Sequence, residues 1–255
     1  MSKVTIGGHA LFYVHRPAKG SEHSLLFIHG AGGTHKHWGY QVQALEQVNR
    51  YALDLPGHGR SEGSGKASIE EYAAVVLQLV DALGLGQVTL VGHSMGGAIS
   101  QHLALHFPSR VDRLVLVGSG ARLRVLPSLL EGLLQDFPAT VESMLGWAYS
   151  SQTPPRLVRL GQEEWLDNDP RVVHDDFAAC DVFDAMDTVG GIACATLVLC
   201  GEDDRLTPPK YAQYLADKIP DATLRIIPDA GHMVMLEQAG LVNQAIEEFL
   251  GSTAA

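Results

Sequence analysis

The sequence predicts an α/β fold, with a mostly parallel central sheet that carries helices on both faces. Three observations favour this class. Short apolar runs recur along the 255-residue chain, helical patterns alternate with them, and a single long stretch, residues 121–191, contains no such run. Strands that alternate with helices usually pair in parallel, because each crossover helix returns the chain to the same edge of the sheet.

Each predicted element has its own signal in the sequence. The chain starts with a hairpin whose turn is Gly7-Gly8. Buried strands are predicted at 24–29, 51–55, 88–91, 114–117, 196–200 and 223–227, each an apolar run too short for a helix. Helices are predicted at 72–83, 97–106, 210–218 and 237–250. Ser68 and Glu71 have the spacing of a capping box before the first helix.

Residues 121–191, called the insertion below, are rich in leucine, proline and charged side chains and predict several short helices. The insertion follows a predicted strand, so it would lie over the edge of the sheet at which open α/β sheets bind ligands. We therefore expect residues 1–120 and 192–255 to form one core domain. The insertion would form a helical cap, or lid, over that domain.

Composition excludes several classes of function. The chain has 29 acidic and 18 basic residues, a formal net charge of −11, and no cluster of Lys and Arg. This argues against a nucleic-acid partner and against an anionic membrane surface. Three scattered cysteines make no disulfide framework, and no signal-length or membrane-length apolar segment is present. We expect a cytoplasmic protein; the sequence carries no indication of its oligomeric state.

A serine flanked by glycines, Gly92-x-Ser94-x-Gly96, lies between a predicted strand and a predicted helix. This context is typical of a nucleophile elbow, a turn so tight that side chains at the two glycine positions would collide with the backbone. The serine hydroxyl then projects from the sheet edge at the start of a helix, where negative charge is favoured. The pattern predicts that Ser94 is a nucleophile.

A serine nucleophile needs a base and an acid that orients the base. His232 follows the last predicted strand, and Asp203 and Asp204 follow the strand before it, so all of them should lie at the same sheet edge as the serine. The order along the chain, serine, aspartate and then histidine, is the order expected of this arrangement. The spacing alone leaves both aspartates as candidates.

These motifs resemble the α/β-hydrolase superfamily, and in particular its small capped serine esterases. The resemblance covers most of the chain and rests on the segments 29–33, 54–61, 92–97, 201–208 and 231–232. It implies that Asp204 is the acid, three residues after a glycine and four before a proline. It also implies an oxyanion hole made by the backbone N–H groups of Ala31 and Met95. We interpret the segment 54–61 as structural.

The predicted function is hydrolysis of small to medium, largely apolar carboxylic esters through a Ser94–His232–Asp204 acyl-enzyme mechanism. No cofactor or metal is expected, and the partner is a small-molecule ester. Weaker candidates for substrate contact are Gly30, Leu130, Met144 and Trp147. The alternatives with the same triad are lactone, thioester and carbon–carbon bond hydrolysis and acyl transfer to an acceptor other than water. A receptor-like protein that binds without turnover is the non-enzymatic alternative.

Overall fold

The computed structural model describes residues 2–251 and contains one eight-stranded sheet in the order β1-β2-β4-β3-β5-β6-β7-β8. The strands are β1 (Ser2–Ile6), β2 (His9–Arg16), β3 (Ser24–Ile28), β4 (Asn49–Leu53), β5 (Val88–His93), β6 (Val111–Val117), β7 (Thr196–Gly201) and β8 (Ala222–Ile227). β2 pairs antiparallel with β1 and β4, and all other pairings are parallel. The predicted α/β fold with a mostly parallel sheet is therefore confirmed.

The α-helices of the described residues lie between and after the strands, with four of them in succession between β6 and β7. They are α1 (Gly39–Ala44), α2 (Ile69–Ala82), α3 (Met95–His106), α4 (Pro127–Gln135), α5 (Phe137–Ala148), α6 (Pro155–Leu166), α7 (Pro170–Val182), α8 (Pro209–Lys218), α9 (Val234–Glu237) and α10 (Ala239–Gly251). The Ser68 side chain caps α2 by accepting a hydrogen bond from the Glu71 N–H at 3.3 Å. Within residues 2–251, no helix is long and apolar enough to cross a bilayer.

The last predicted helix was wrong in one respect. The segment 237–250 is interrupted at Gln238, whose backbone is not helical, so that α9 and α10 are separate. The Glu237 side chain lies at this break and accepts hydrogen bonds from the backbone N–H groups of Ser150 and Gly231, at 2.9 and 3.0 Å. The chain thus breaks where the Glu237 side chain binds the loop just before α9 and, through Ser150, a loop of the insertion.

Apolar side chains cover both faces of the sheet. Along β3, Leu26 and Ile28 pack into one apolar cluster, and Leu25 and Phe27 pack into another on the opposite face. This is the alternation that a strand imposes on its side chains. The first cluster is closed by α2, α3 and α8 and the second by α1 and α10. Helices on both faces are therefore confirmed.

Four helices, α4 to α7, occupy the insertion, and each has a proline in its first turn. Proline is favoured there because its missing N–H would have no helical partner. The two ends of the insertion meet at a neck formed by Ala121, Arg122, Asp184 and Ala185. The Ala185 N–H donates to the Ala121 carbonyl at 2.7 Å, and the other two residues form an antiparallel bridge. The several short helices expected here are present; the domain boundaries stay a prediction.

Candidate active site

Ser94 lies on a strained turn between β5 and α3, with a φ of 51°. This is the left-handed region, which is unfavourable for a residue with a side chain. A Cβ at Gly92 would lie 2.2 Å from the Gly96 carbonyl oxygen, and a Cβ at Gly96 would lie 2.3 Å from that of Ile28. Only glycine fits at either position. The Ser119 hydroxyl donates to the Ser94 carbonyl at 2.9 Å and helps to hold the turn.

His232 and Asp204 are in direct contact. The histidine Nδ1 lies 2.9 Å from the aspartate Oδ2. The buried carboxylate also accepts hydrogen bonds from the N–H groups of Leu206 and Thr207, at 2.9 and 2.8 Å, and from the Thr207 hydroxyl at 2.8 Å. Since a carboxylate in this position accepts, Nδ1 carries the proton and the Nε2 lone pair is left available. Nε2 has no hydrogen-bond partner within residues 2–251.

The neighbouring carboxylate of Asp203 has a different partner. It accepts a hydrogen bond from the Ser150 hydroxyl at 2.5 Å, and no contact joins it to His232. The structure thus places Asp204, and not Asp203, against the histidine, in agreement with the spacing that the resemblance implies.

Ser94 and His232 line the same cavity, which has a volume of about 450 Å³. No hydrogen bond joins the side chains of Ser94 and His232, which are both among the described residues. Such bonds are often long in unliganded enzymes and shorten only when substrate is bound. The cavity therefore brings together the nucleophile and the base, and Asp204 lies behind the base.

The loop after β3 has an arrangement that suits an oxyanion hole. The Gly32 N–H donates to the Asp176 carboxylate at 2.8 Å, and the Gly33 N–H donates to the Gly30 carbonyl at 3.1 Å. Ala31, between them, lines the cavity, and its N–H has no acceptor among the residues described. Met95 is the first residue of α3, where a backbone N–H has no intrahelical partner. These are the two N–H groups that the resemblance predicts for the oxyanion hole.

His29 fixes the start of this loop. Its Nε2 accepts the Leu55 N–H at 3.0 Å, so that Nδ1 carries the proton and donates to the Gly30 carbonyl at 2.8 Å. Complete burial lowers the pKa of His29 to about 3. The ring is therefore neutral at any physiological pH, and both of its nitrogens are committed to the loop.

Two further histidines, His37 and His93, lie in the cavity wall. Burial, and then the proximity of His232, hold the pKa of His93 well below its usual range, and burial also lowers the pKa of His37. His93 donates from Nε2 to the His232 carbonyl at 3.0 Å, with ring centroids 4.6 Å apart. Because His93 stays neutral, a positive charge that forms on His232 is not opposed by a second one beside it.

Of the weaker candidates for substrate contact, Trp147 lines the cavity, but Leu130 and Met144 do not. Met144 is buried in the apolar cluster between the insertion and the sheet. The neighbour of Leu130, Leu129, reaches the cavity instead, because adjacent residues of a helix face different directions. Gly30 lies under the serine: a Cβ there would be 3.1 Å from the Ser94 Cβ.

Sequence reasoning missed several residues of the site. Thr207 is the only one with a sequence signal, since a threonine three residues after an aspartate can bond to it locally. His37, Arg124 and Arg205 also line the cavity. They reach it from a turn after β3, from the start of the insertion and from the loop after β7, and nothing in their local sequence distinguishes them from surface residues.

A second histidine–aspartate pair joins the insertion to the core. The His58 Nε2 donates to the Asp176 carboxylate at 2.8 Å, and its Nδ1 donates to the Pro56 carbonyl at 3.0 Å. Tyr72 donates to the other carboxylate oxygen. Together with the Gly32 N–H, this gives the buried carboxylate of α7 three donors from the core. Asp176 thus ties the insertion to the loop that carries Ala31.

The segment 54–61 has the structural role that we expected. The buried Asp54 carboxylate accepts the N–H and Nδ1–H of His35, at 2.7 and 2.8 Å, and the Arg60 N–H at 2.9 Å. Burial acts to raise the pKa of Asp54, and these hydrogen bonds outweigh that effect and lower it. A Cβ at Gly59, where φ is 52°, would lie 2.4 Å from the carboxylate, so glycine is required.

Comparison with known proteins shows the family to which the fold belongs. The family model described as alpha/beta hydrolase fold matches residues 23–239. The chain is 31% identical to the dihydrolipoyllysine-residue acetyltransferase component of an acetoin cleaving system from Pseudomonas putida, over 97% of this chain and 68% of that protein. It is 36% identical to a thermophilic esterase of known structure, with a TM-score of 0.85 and coverage of 98% and 96% of the two chains. A third match is Est816, described as an N-acyl homoserine lactone degrading enzyme, with 29% identity, a TM-score of 0.88 and coverage of 97% and 100%.

Proposed function

The chain belongs to the alpha/beta hydrolase fold family, and on that premise we propose that it is a serine hydrolase of small to medium, largely apolar carboxylic esters. The observation that carries the proposal is the contact between Asp204 and His232, 2.9 Å apart, beside a cavity that also exposes the strained Ser94. A buried base with a free ring nitrogen, in the wall of a cavity that also holds a serine, is the arrangement that can activate a hydroxyl group.

The proposed reaction has two halves. Ser94 Oγ attacks the acyl carbon and passes its proton to His232 Nε2, while Asp204 holds the Nδ1–H and stabilises the imidazolium. The N–H groups of Ala31 and Met95 bind the oxyanion of the tetrahedral intermediate. The alcohol then leaves with the proton from His232. In the second half, water gives a proton to His232 and attacks the acyl-enzyme, and His232 then returns the proton to Ser94 Oγ as the acid is released.

The composition of the cavity wall favours a substrate with an apolar acyl or alcohol group. The insertion supplies Leu126, Leu129, Trp147 and Phe177 to it, and the core supplies Ala31 and Met233. We propose on this basis that the insertion is a cap domain on a core of residues 1–120 and 192–255. Contacts from both parts around one cavity, and the neck that joins the two ends of the insertion, favour this division.

Lactones are the second candidate substrate. A lactone is an internal ester and would react through the same steps, and the likeness to a lactone-degrading enzyme favours it. Thioester or carbon–carbon bond hydrolysis, and acyl transfer to an acceptor other than water, would use the same groups. Measuring which class of substrate the protein turns over distinguishes these reactions from ester hydrolysis.

The test uses a fluorophosphonate probe together with a panel of p-nitrophenyl esters of increasing acyl length, lactones, thioesters and a vinylogous diketone. We expect the probe to label the wild-type protein and the esters to be the best substrates. Ser94→Ala should lose labelling and turnover while it unfolds at an unchanged temperature. An unlabelled wild-type protein that binds the panel without turnover would indicate a receptor-like protein. Undiminished turnover in the Ser94→Ala variant would refute the nucleophile.

A further inference from the structure

Two arginines give the largely apolar wall of the cavity a positive charge. Arg124 and Arg205 line the cavity, and no aspartate or glutamate of the residues described does so. This is opposite to the balance of the whole chain, which carries a net charge of −11. A cleft with charge of one sign and apolar walls concentrates ligands of the opposite sign.

Both guanidinium groups have hydrogen-bond donors to spare. Arg124 Nη1 donates to the Asp181 carbonyl at 2.9 Å, which anchors the side chain to the end of α7. The Asp181 carboxylate is directed elsewhere, to the Val125 N–H at 2.9 Å, so it does not neutralise the arginine. Arg205 forms no hydrogen bond or ion pair with any residue of the described chain.

The two side chains reach the cavity from different parts of the molecule. Arg124 belongs to the first segment of the insertion, next to the neck. Arg205 follows Asp204 directly, in the loop between β7 and α8, and both arginines are exposed. Exposed arginines that also line the cavity lie at its mouth. A ligand that reaches Ser94 with its acyl carbon could therefore meet both guanidinium groups with its far end.

We propose that Arg124 and Arg205 form an anion subsite, and that the substrate is an ester with a carboxylate at the end remote from the scissile bond. This inference rests on the proposed esterase function and specifies its substrate class. A guanidinium group binds a carboxylate through paired N–H donors, and this gives orientation as well as affinity. The apolar wall between the arginines and the serine suits the chain that links the carboxylate to the ester.

The test compares two esters of equal acyl length, the p-nitrophenyl half-ester of adipic acid and the uncharged p-nitrophenyl hexanoate. We expect the wild-type enzyme to prefer the charged ester and to lose part of this preference in high salt. Arg124→Gln and Arg205→Gln should each lower the ratio of kcat/KM for the charged ester to kcat/KM for the neutral ester by about tenfold, through the KM of the charged ester. An unchanged ratio between the two esters in both variants would overturn the inference.

Arg122→Gln is the matched control. Arg122 lies two residues before Arg124, pairs with Asp184 at 3.6 Å and does not line the cavity, so its loss should leave the ratio between the two esters unchanged. If neither ester is hydrolysed, the proposed function fails, and calorimetry with the Ser94→Ala variant then tests the subsite alone. Tighter binding of the charged ester, lost with either cavity arginine, supports the subsite; equal binding of both esters overturns it.

Discussion

Among the described residues, His232–Asp204 and His58–Asp176 are buried pairs with almost the same nitrogen–oxygen distance, but their second ring nitrogens differ. The distance between nitrogen and carboxylate is 2.9 Å for His232 and Asp204 and 2.8 Å for His58 and Asp176. His58 also donates its other N–H to the Pro56 carbonyl, so that both of its nitrogens are bound. His232 keeps one nitrogen for the cavity. Both histidines contact a carboxylate, so this contact does not distinguish them. Only His232 has a ring nitrogen left to act as the proposed base.

The two pairs also differ in charge. Burial acts to lower the pKa of His58, but the Asp176 carboxylate outweighs it and the pKa is raised. With both nitrogens donating, the ring of His58 is held as a cation inside the protein. This pair is an internal ion pair that links α7 to the core, whereas the pair at the cavity leaves His232 Nε2 without a hydrogen-bond partner among the described residues.

The largest expected effect is on catalysis, at the cavity pair. Asp204→Asn should lower kcat by about 10⁴-fold, because an amide favours the wrong tautomer of His232 and cannot stabilise the imidazolium. Steady-state kinetics on the best ester of the panel would measure it. Asp203→Asn is the matched control and should keep most of the activity, because that carboxylate contacts Ser150 and not His232. Equal losses of kcat in the two variants would show that the contact with His232 does not decide which aspartate the reaction requires.

The next effect is on stability, at the other pair. Asp176→Ala should lower the free energy of unfolding by about 3–5 kcal/mol, because it leaves the buried cation of His58 without its partner. Urea unfolding would measure this value. The control is Asp175→Ala, which removes the adjacent, half-buried carboxylate and should cost less than about 1 kcal/mol. An Asp176→Ala protein of wild-type stability would mean that the pair does not hold the insertion to the core.

The smallest effect concerns pH. A histidine whose pKa is raised by folding stabilises the protein fully below its ordinary pKa of about 6.5 and loses this contribution as the pH rises through the raised value. The difference in unfolding free energy between the wild-type protein and His58→Gln should therefore be largest in mild acid and should shrink in alkali. Urea unfolding across this pH range measures it. A difference that grows with pH would contradict the assignment of His58 as a buried cation.

Much of the fold could be predicted because its signals are local. Each buried strand is a short apolar run, and the glycines around Ser94 are required by backbone atoms a few residues away or on the adjacent strand. The resemblance placed Asp204 next to His232 because the spacing in that loop is fixed by the turn after β7. The break at Gln238, before the last helix, was not predicted, because Glu237 there binds Ser150, 87 residues earlier in the chain.

The contacts between the insertion and the core could not be predicted. Asp176 binds the N–H of Gly32, 144 residues earlier in the chain, and the ring of His58, 118 residues earlier. Two adjacent aspartates, Asp175 and Asp176, look alike in sequence, and only packing decides which of them is buried. The same holds for the cavity wall, where the orientation of α4 decides that Leu129, and not Leu130, lines the cavity.

The neck at Ala121 and Ala185 would allow the helices of the insertion to be exchanged as a unit. Both ends of the insertion leave the core at one place, where Ala185 bonds to Ala121, so a different set of helices could be grafted there without disturbing the strand order. A graft would alter the shape of the cavity. It would leave Ser94, Asp204 and His232 in place, because all three lie outside the insertion. It would succeed only if the new segment supplied an acid in place of Asp176, because the loop that carries Ala31 is anchored to a side chain of the module being exchanged.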